Sequence, residues 1–199
     1  MQNMFIIIGK SSSGKDTILK KLLHSKKKLN IKGYVPYTTR PKRSNEKNGK
    51  DYFFIQNTEF DRLIKDGKML EYREYNINGS IWKYGTVNDS QLKTSQDIIL
   101  IQNLEAYISL LSSKISENIN IVPIYIELND KERLFRAINR ESSQIFPNYQ
   151  EVCRRFLADS NDFSEKNLEK ANITKRFQNN VISTCVHEIE EYILSLKNN

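Results

Sequence analysis

The stretch Met4 to Thr17, MFIIIGKSSSGKDT, constrains this chain more than any other. Five apolar residues run unbroken into Gly9, the pattern of a strand buried on both faces. After Gly14 and Lys15, the segment DTILKKLLHSKK places Ile18, Leu19, Leu22 and Leu23 on one stripe, which predicts an amphipathic helix. Strand, glycine-bounded turn and helix in that order imply an α/β fold with a largely parallel sheet. DIILI and IVPIYIEL read as further core strands, and TCVHEIEEYILSLK as another helix. NDKERLFRAINR reads as a helix capped by Asn129 or Asp130.

The turn also carries chemistry. Gly9, Gly14 and Lys15 fit the phosphate-loop pattern Gly-x-x-x-x-Gly-Lys-[Ser/Thr], except that Asp16 stands where a hydroxyl is usual and Thr17 follows one place late. Glycines let backbone amides turn inward around phosphate oxygens, and the helix amino terminus adds partial positive charge. Lys15 would reach the outer phosphates. Gly9, Ser11, Ser12, Ser13, Gly14, Lys15, Asp16 and Thr17 are therefore the candidate nucleotide-binding residues. The competing reading is a serine-rich turn that only caps a helix.

A chain of 199 residues is expected to form one domain, with inserts rather than linkers. The net charge of +7 admits nucleic acid, acidic membranes or phosphorylated small molecules. The densest basic run, Lys26 to Lys28, reads as a solvated helix end, without the interleaved aromatics of a nucleic-acid surface. The arginines say more: Arg40 and Arg43 form one group, and Arg133, Arg136, Arg140, Arg154 and Arg155 another. Their planar donor forks suit phosphate. MQNMFIIIG has no basic leader, and no stretch approaches a membrane span. With two cysteines and no secretion signal, the expectation is a cytoplasmic protein with reduced thiols. Its partners would be small nucleotides, without nucleic acid or membrane.

Two segments break the strand–helix rhythm. Residues about 34 to 87 are rich in Tyr, Thr, Gly and charge, with strand-like DYFFI and KMLEYREY around a helix, TEFDRLIKDG, that starts near Thr58 and stops at Gly67. Residues about 131 to 160 hold most of the remaining arginines. At about 100° per residue, Arg133, Arg136 and Arg140 share a sector, with Leu134, Phe135 and Ile138 away from it. The helix is expected to pack by its apolar side and offer guanidiniums on the other.

The series YTTRPKR, GKDYFFI, DGKMLEYREY and KYGT, after such a loop, resembles the guanylate kinase family over nearly the whole chain. The resemblance implies a P-loop NTPase-type parallel sheet flanked by helices, with an acceptor-binding insert (about 34–87) and a helical lid (about 131–160). The core would comprise about 1–33, 88–130 and 161–199. It implies phosphoryl transfer from ATP, with Mg²⁺, to GMP or dGMP. Arg40, Arg43, Tyr52 and Tyr84 match the acceptor-phosphate residues, Glu71 the carboxylate that reads guanine, and Thr86 a hydroxyl that helps hold the base. Arg136, Arg140 and Arg155 match the lid arginines, with Arg154 as the alternative to Arg155. Asn179 matches a residue near adenine.

Three departures stand out. Asp16 replaces the metal-touching hydroxyl, so Asp16 or Thr17 is expected to serve Mg²⁺. Pro36 stands where the family often has a serine near guanine. Gln102 and Asn103 stand where an acid near metal and base is usual. The GSIWKYGT segment reads as an unusually long loop. Other phosphorylated acceptors, and a non-catalytic binding module of the same fold, are the alternatives these departures leave open.

Overall fold

The computed structural model describes residues 1–44, 46–77 and 79–197. Its elements, in chain order, are β1 (Gln2–Ile8), α1 (Lys15–His24), α2 (Lys26–Leu29), β2 (Ile31–Gly33), β3 (Tyr37–Thr38), β4 (Phe53–Phe54) and α3 (Asn57–Lys65). There follow β5 (Met69–Ile77), β6 (Ser80–Val87), β7 (Asp97–Ile101), α4 (Leu104–Leu111), β8 (Ile119–Glu127) and α5 (Asp130–Ser142). The chain continues through α6 (Tyr149–Asp162), α7 (Glu165–Lys170), β9 (Arg176–Gln178) and α8 (Ile182–Ser195).

The apolar run in β1 is central because both its faces are covered. The core sheet has the order β2-β7-β1-β8-β9, with every pairing parallel. Successive side chains of a strand point to opposite faces. Met4, Ile6 and Ile8 therefore join Ile98, Leu100, Tyr107, Tyr125 and Leu168 on one side. Phe5 and Ile7 join Ile18, Leu22, Ile99, Ile124, Cys185, Ile189 and Ile193 on the other. Truncating any one of these, such as Ile7→Ala, is expected to cost about 2–5 kcal/mol. Among the described residues no helix is long and apolar enough to cross a membrane, and Cys153 and Cys185 are both free.

The second sheet, β4-β3-β6-β5, is carried between β2 and β7. Here one expectation is corrected: GSIWKYGT is not a long loop. Ser80–Val87 is a strand, paired antiparallel with β5 and joined to it through Gly79 at φ +81°. Alternation decides it, because Trp82, Tyr84 and Thr86 share one face. Gly85 fits within the strand because a Cβ there would lie 2.9 Å from the Glu71 carbonyl oxygen and 3.1 Å from Phe60. A register irregularity between Met69 and Glu71 brings Glu71 opposite Thr86. Phe60 of α3 covers the other face.

A second correction concerns α5, whose cap is Asn129, accepting from the Glu132 amide at 2.9 Å. Its arginine side does not simply face solvent, and its apolar side is not the packed one. Arg133 is 1% exposed, while Phe135 is 62% exposed and Ile138 40%. Arg133 is buried because it is satisfied. It bonds Asp130 (2.7 Å), the Ser11 carbonyl (3.1 Å) and Asp159 (3.3 Å), and stacks on the Phe156 ring at 4.8 Å. A buried guanidinium is tolerated only with such partners.

Candidate active site

The phosphate loop runs from β1 into α1 and is held on both sides. A Cβ on Gly9 would lie 2.4 Å from the Ile126 carbonyl oxygen, and one on Gly14 would lie 2.3 Å from Asn179 Nδ2. Both glycines have positive φ, +150° and +97°, and Ser12 joins them at +61°. Only glycine accepts both the close approach and the backbone without strain. Asn179 is buried and donates to the Ser13 carbonyl at 2.7 Å, with its own Oδ1 unpartnered among the described residues. Lys15 Nζ donates to the carbonyls of Gly9 (2.6 Å) and Lys10 (2.9 Å), and burial pulls its pKa down to about 8 against the raising effect of Asp16 and Asp159. Asp16 and Thr17 are exposed in the first turn of α1. Ser11 donates its amide to Asp159 Oδ2 at 2.7 Å, an α6 contact that sequence reasoning missed.

The second sheet builds a different surface. On one of its faces Glu71, Arg73 and Tyr75 of β5 stand beside Thr86, Tyr84 and Trp82 of β6. Glu71 is 4% exposed; its Oε1 accepts from Thr86 (2.7 Å) and from Gln102 (3.2 Å) at the end of β7. Gln102 also donates to Thr86 at 2.9 Å. Burial pushes the Glu71 carboxyl up, while Arg73 and the Thr86 hydroxyl pull it down. Arg73 spans the gap between the sheets, donating to Gln102 Oε1 at 2.9 Å and to Asn103 Oδ1. Asn103 also caps α4 and donates to Tyr75 at 3.1 Å. The two amides that replace the expected acid are thus tied to Glu71 and Arg73. Arg73 went unsingled in the sequence, although two-residue alternation from Glu71 on a strand was the signal that would have found it.

Tyr52 and Tyr84 meet edge to face at 6.0 Å, and Tyr75 extends the row at 5.8 Å from Tyr84. Arg40 is buried against them, 5.5 Å from the Tyr52 ring centroid, with its fork taken by Glu46 at 2.7 and 3.0 Å. Glu46 also accepts the Arg43 amide at 2.8 Å, so one carboxylate sets the spacing of both arginines. Pro36 donates no hydroxyl; its carbonyl accepts the Phe53 amide at 2.8 Å.

Between loop and lid lies a cleft of about 580 Å³, lined among others by Ser11, Ser12, Arg43, Arg140, Arg155 and Asp159. The β1–α1 loop, the segment after β3 and helices α5 and α6 therefore converge on it. The Arg136 guanidinium lies beside Gly14, 3.8 Å from where a Cβ there would sit. Arg155 lines the cleft and Arg154 does not, though both bond Glu151, whose pKa the Arg154 and Arg155 guanidiniums hold down at about 2. Glu71, Tyr84 and Thr86 stand on the second sheet, and Arg40 and Tyr52 in the segment between β3 and β4; none of them lines this cleft, whereas Arg43 does.

A family model described as guanylate kinase matches residues 1–196. The guanylate kinase of Mycoplasma mobile is 31% identical over 204 residues, covering 96% of this chain and 91% of that protein. That of Thermobifida fusca is 27% identical over 208 residues, covering 98% and 90%. The crystal structure of guanylate kinase from Anaplasma phagocytophilum shares the fold, with a TM-score of 0.65 at 21% identity over 98% of this chain and 85% of that one.

Proposed function

The chain belongs to the guanylate kinase family, and from that premise we propose how its site moves a phosphoryl group from ATP to GMP or dGMP. The observation that carries the reading is the convergence of the phosphate loop, Arg43 and the lid arginines on one cleft. The loop amides and Lys15 hold the donor's phosphates, and Asn179 braces the loop and offers its free Oδ1 on the adenine side. Residues about 34–87 bind the acceptor: Arg40, Arg43, Tyr52 and Tyr84 take its phosphate, Glu71 and Thr86 its base. Residues about 131–160 act as the lid.

An acceptor phosphate oxygen attacks the γ-phosphorus as the bond to the ADP oxygen breaks. The protein supplies position and positive charge rather than covalent chemistry. Lys15, Arg136, Arg140 and Arg155 cancel the charge spread over the transferred oxygens, and the closed lid excludes water. Asp16 and Thr17 offer hard oxygen donors next to Lys15, and the Asp16 charge is felt at the Tyr52 phenol. That donor set fits Mg²⁺, which takes one or two carboxylates alongside phosphate oxygens and waters. When bound, the ion would neutralise phosphate charge. Two free cysteines fit a cytoplasmic enzyme. The test is ATP consumption screened across all nucleoside and deoxynucleoside monophosphates. The reading requires GMP or dGMP to lead; another monophosphate turned over faster than both, or no turnover with either, would overturn it.

A further inference from the structure

The base side of the acceptor site contains a buried ion pair of which the proposed function uses only Glu71. Glu71 Oε2 and Arg73 Nε face each other at 3.4 Å, and neither has a hydrogen-bond partner among the described residues. The Glu71 carboxylate is fully enclosed and the Arg73 side chain is 10% exposed. Leaving a donor and an acceptor unsatisfied in such a place is costly unless something else completes them. Arg73 is not loose: Gln102 and Asn103 each take one of its terminal nitrogens. A guanidinium carries five N–H donors, so donors remain to be filled.

The pair presents a row of groups: a carboxylate that accepts, then a guanidinium that donates. Guanine presents the complementary row, with its 2-amino group and N1–H as donors and O6 as acceptor. An adenine ring lacks the 2-amino group and has an amino group in place of O6. Arg suits guanine's O6 in nucleic-acid recognition for the same geometric reason.

We propose that Arg73 is a specificity-determining residue that reads the 6-position of the acceptor's purine, while Glu71 reads the 2-amino group and N1–H. This rests on GMP being the acceptor. The arrangement accounts for two of the three departures together. Pro36 removes a hydroxyl near the base and Asn103 removes a charge, and Arg73 supplies a donor anchored by the amides that replaced the acid. Arg73 also neutralises Glu71, so the base pocket adds no net negative charge near an acceptor that itself carries a phosphate.

The experiment compares GMP, IMP and AMP in the full-length wild type, Arg73→Ala and Arg73→Lys. The readout is kcat/KM, or an inhibition constant against GMP where turnover is too slow. GMP and IMP differ only in the 2-amino group, so their ratio reports Glu71. IMP and AMP differ at the 6-position and at N1, so their ratio reports Arg73 together with the N1–H contact of Glu71, and the GMP-to-IMP ratio serves as the control for Glu71. Arg73→Ala is expected to lower the IMP-to-AMP ratio at least about tenfold and leave the GMP-to-IMP ratio within about twofold. Arg73→Lys, which keeps a charged donor without the fork, should fall between. If both ratios drop together, Arg73 only holds Glu71 in place and the proposal is wrong; unchanged ratios also overturn it. Should Arg73→Ala not fold, Arg73→Lys decides alone: an IMP-to-AMP ratio equal to wild type sinks the idea. Absence of turnover with both GMP and dGMP in the wild type would instead overturn the proposed function.

Discussion

The second sheet, on the proposed acceptor side, and α5–α6, the proposed lid, both hold arginines, but they hold them differently. On the acceptor side Arg40 and Arg73 are sunk among aromatics, amides and carboxylates, each in a fixed bonding pattern. On the lid only Arg133 is so fixed; Arg140 is exposed, and Arg155 is tied only to the half-exposed Glu151 on its own helix. One side is a template whose groups wait in place. The other carries exposed charge on helices, with Phe135 of α5 and Ile145 and Phe146 of the turn between α5 and α6 open to solvent. A fixed template discriminates, and charge that closes over the site stabilises a transition state once assembled.

The largest effect should come from the loop on which both sides converge. Lys15→Ala is expected to lower kcat hundreds-fold or more, about 3 kcal/mol or above, with the fold intact by circular dichroism. Wild-type turnover in that folded variant would remove the loop from the mechanism. Next comes the template. Glu71→Gln keeps size but replaces an acceptor with a donor, so GMP kcat/KM should fall about a hundredfold. No change there would mean that Glu71 does not read the base.

Splitting the two sides is the third test. Arg43→Ala should raise the acceptor KM about tenfold with ATP binding unaffected, and Arg136→Ala should lower kcat by a similar factor. If both variants weaken only ATP binding, the contrast between template and lid fails. Acidity offers a subtler probe. Burial raises the Glu71 pKa, the Arg73 guanidinium and Thr86 hydroxyl lower it, and Glu105 raises it. GMP kcat/KM should therefore fall as pH drops through a range above that of an ordinary carboxylate, because protonated Glu71 loses its acceptor. In Arg73→Ala the lowering partner is gone, so this acid limb should move to higher pH; a shift to lower pH would contradict the pairing. The smallest effect concerns Asp16. Asp16→Asn should need severalfold more Mg²⁺ for half-maximal rate, and Asp16→Ser should recover part of the loss. Unchanged Mg²⁺ dependence with a loss of roughly 0.3–1 kcal/mol in stability would leave Asp16 only a role at the helix dipole.

The core strands and the loop could be read from the sequence because their signals are local. An apolar run ending in glycine, followed by a 3.6-residue stripe, needs no distant partner to be recognised. The lid helix was read with its faces exchanged for the opposite reason. An apolar face normally packs, but here Arg133 finds Asp159 and Phe156 on another helix, and no local pattern announces them. β6 reads as a loop in the sequence because Gly79 precedes it and Gly85 interrupts it. What makes Gly85 a strand residue is the close approach of Phe60 and of the Glu71 carbonyl across the sheet. Glu71 was singled out by resemblance. Its bond to Gln102 needs the two sheets to meet, whereas Arg73 is legible from two-residue alternation along β5.

The place of β1 between β7 and β8 has a consequence for how the molecule assembles. Met4 pairs with Ile98 on one side and with Ile121 on the other. The most apolar strand of the sheet thus meets its partners only across long stretches of intervening chain, both of which contain the entire second sheet. Non-local parallel pairing of this kind is slow, and it leaves an apolar segment uncovered while it waits. The β5–β6 hairpin, by contrast, closes on its immediate neighbour. Refolding should therefore be biphasic, with the hairpin's Trp82 environment forming early and the protection of β1 amides arriving last. During that interval the Met4–Ile8 run is where self-association would begin.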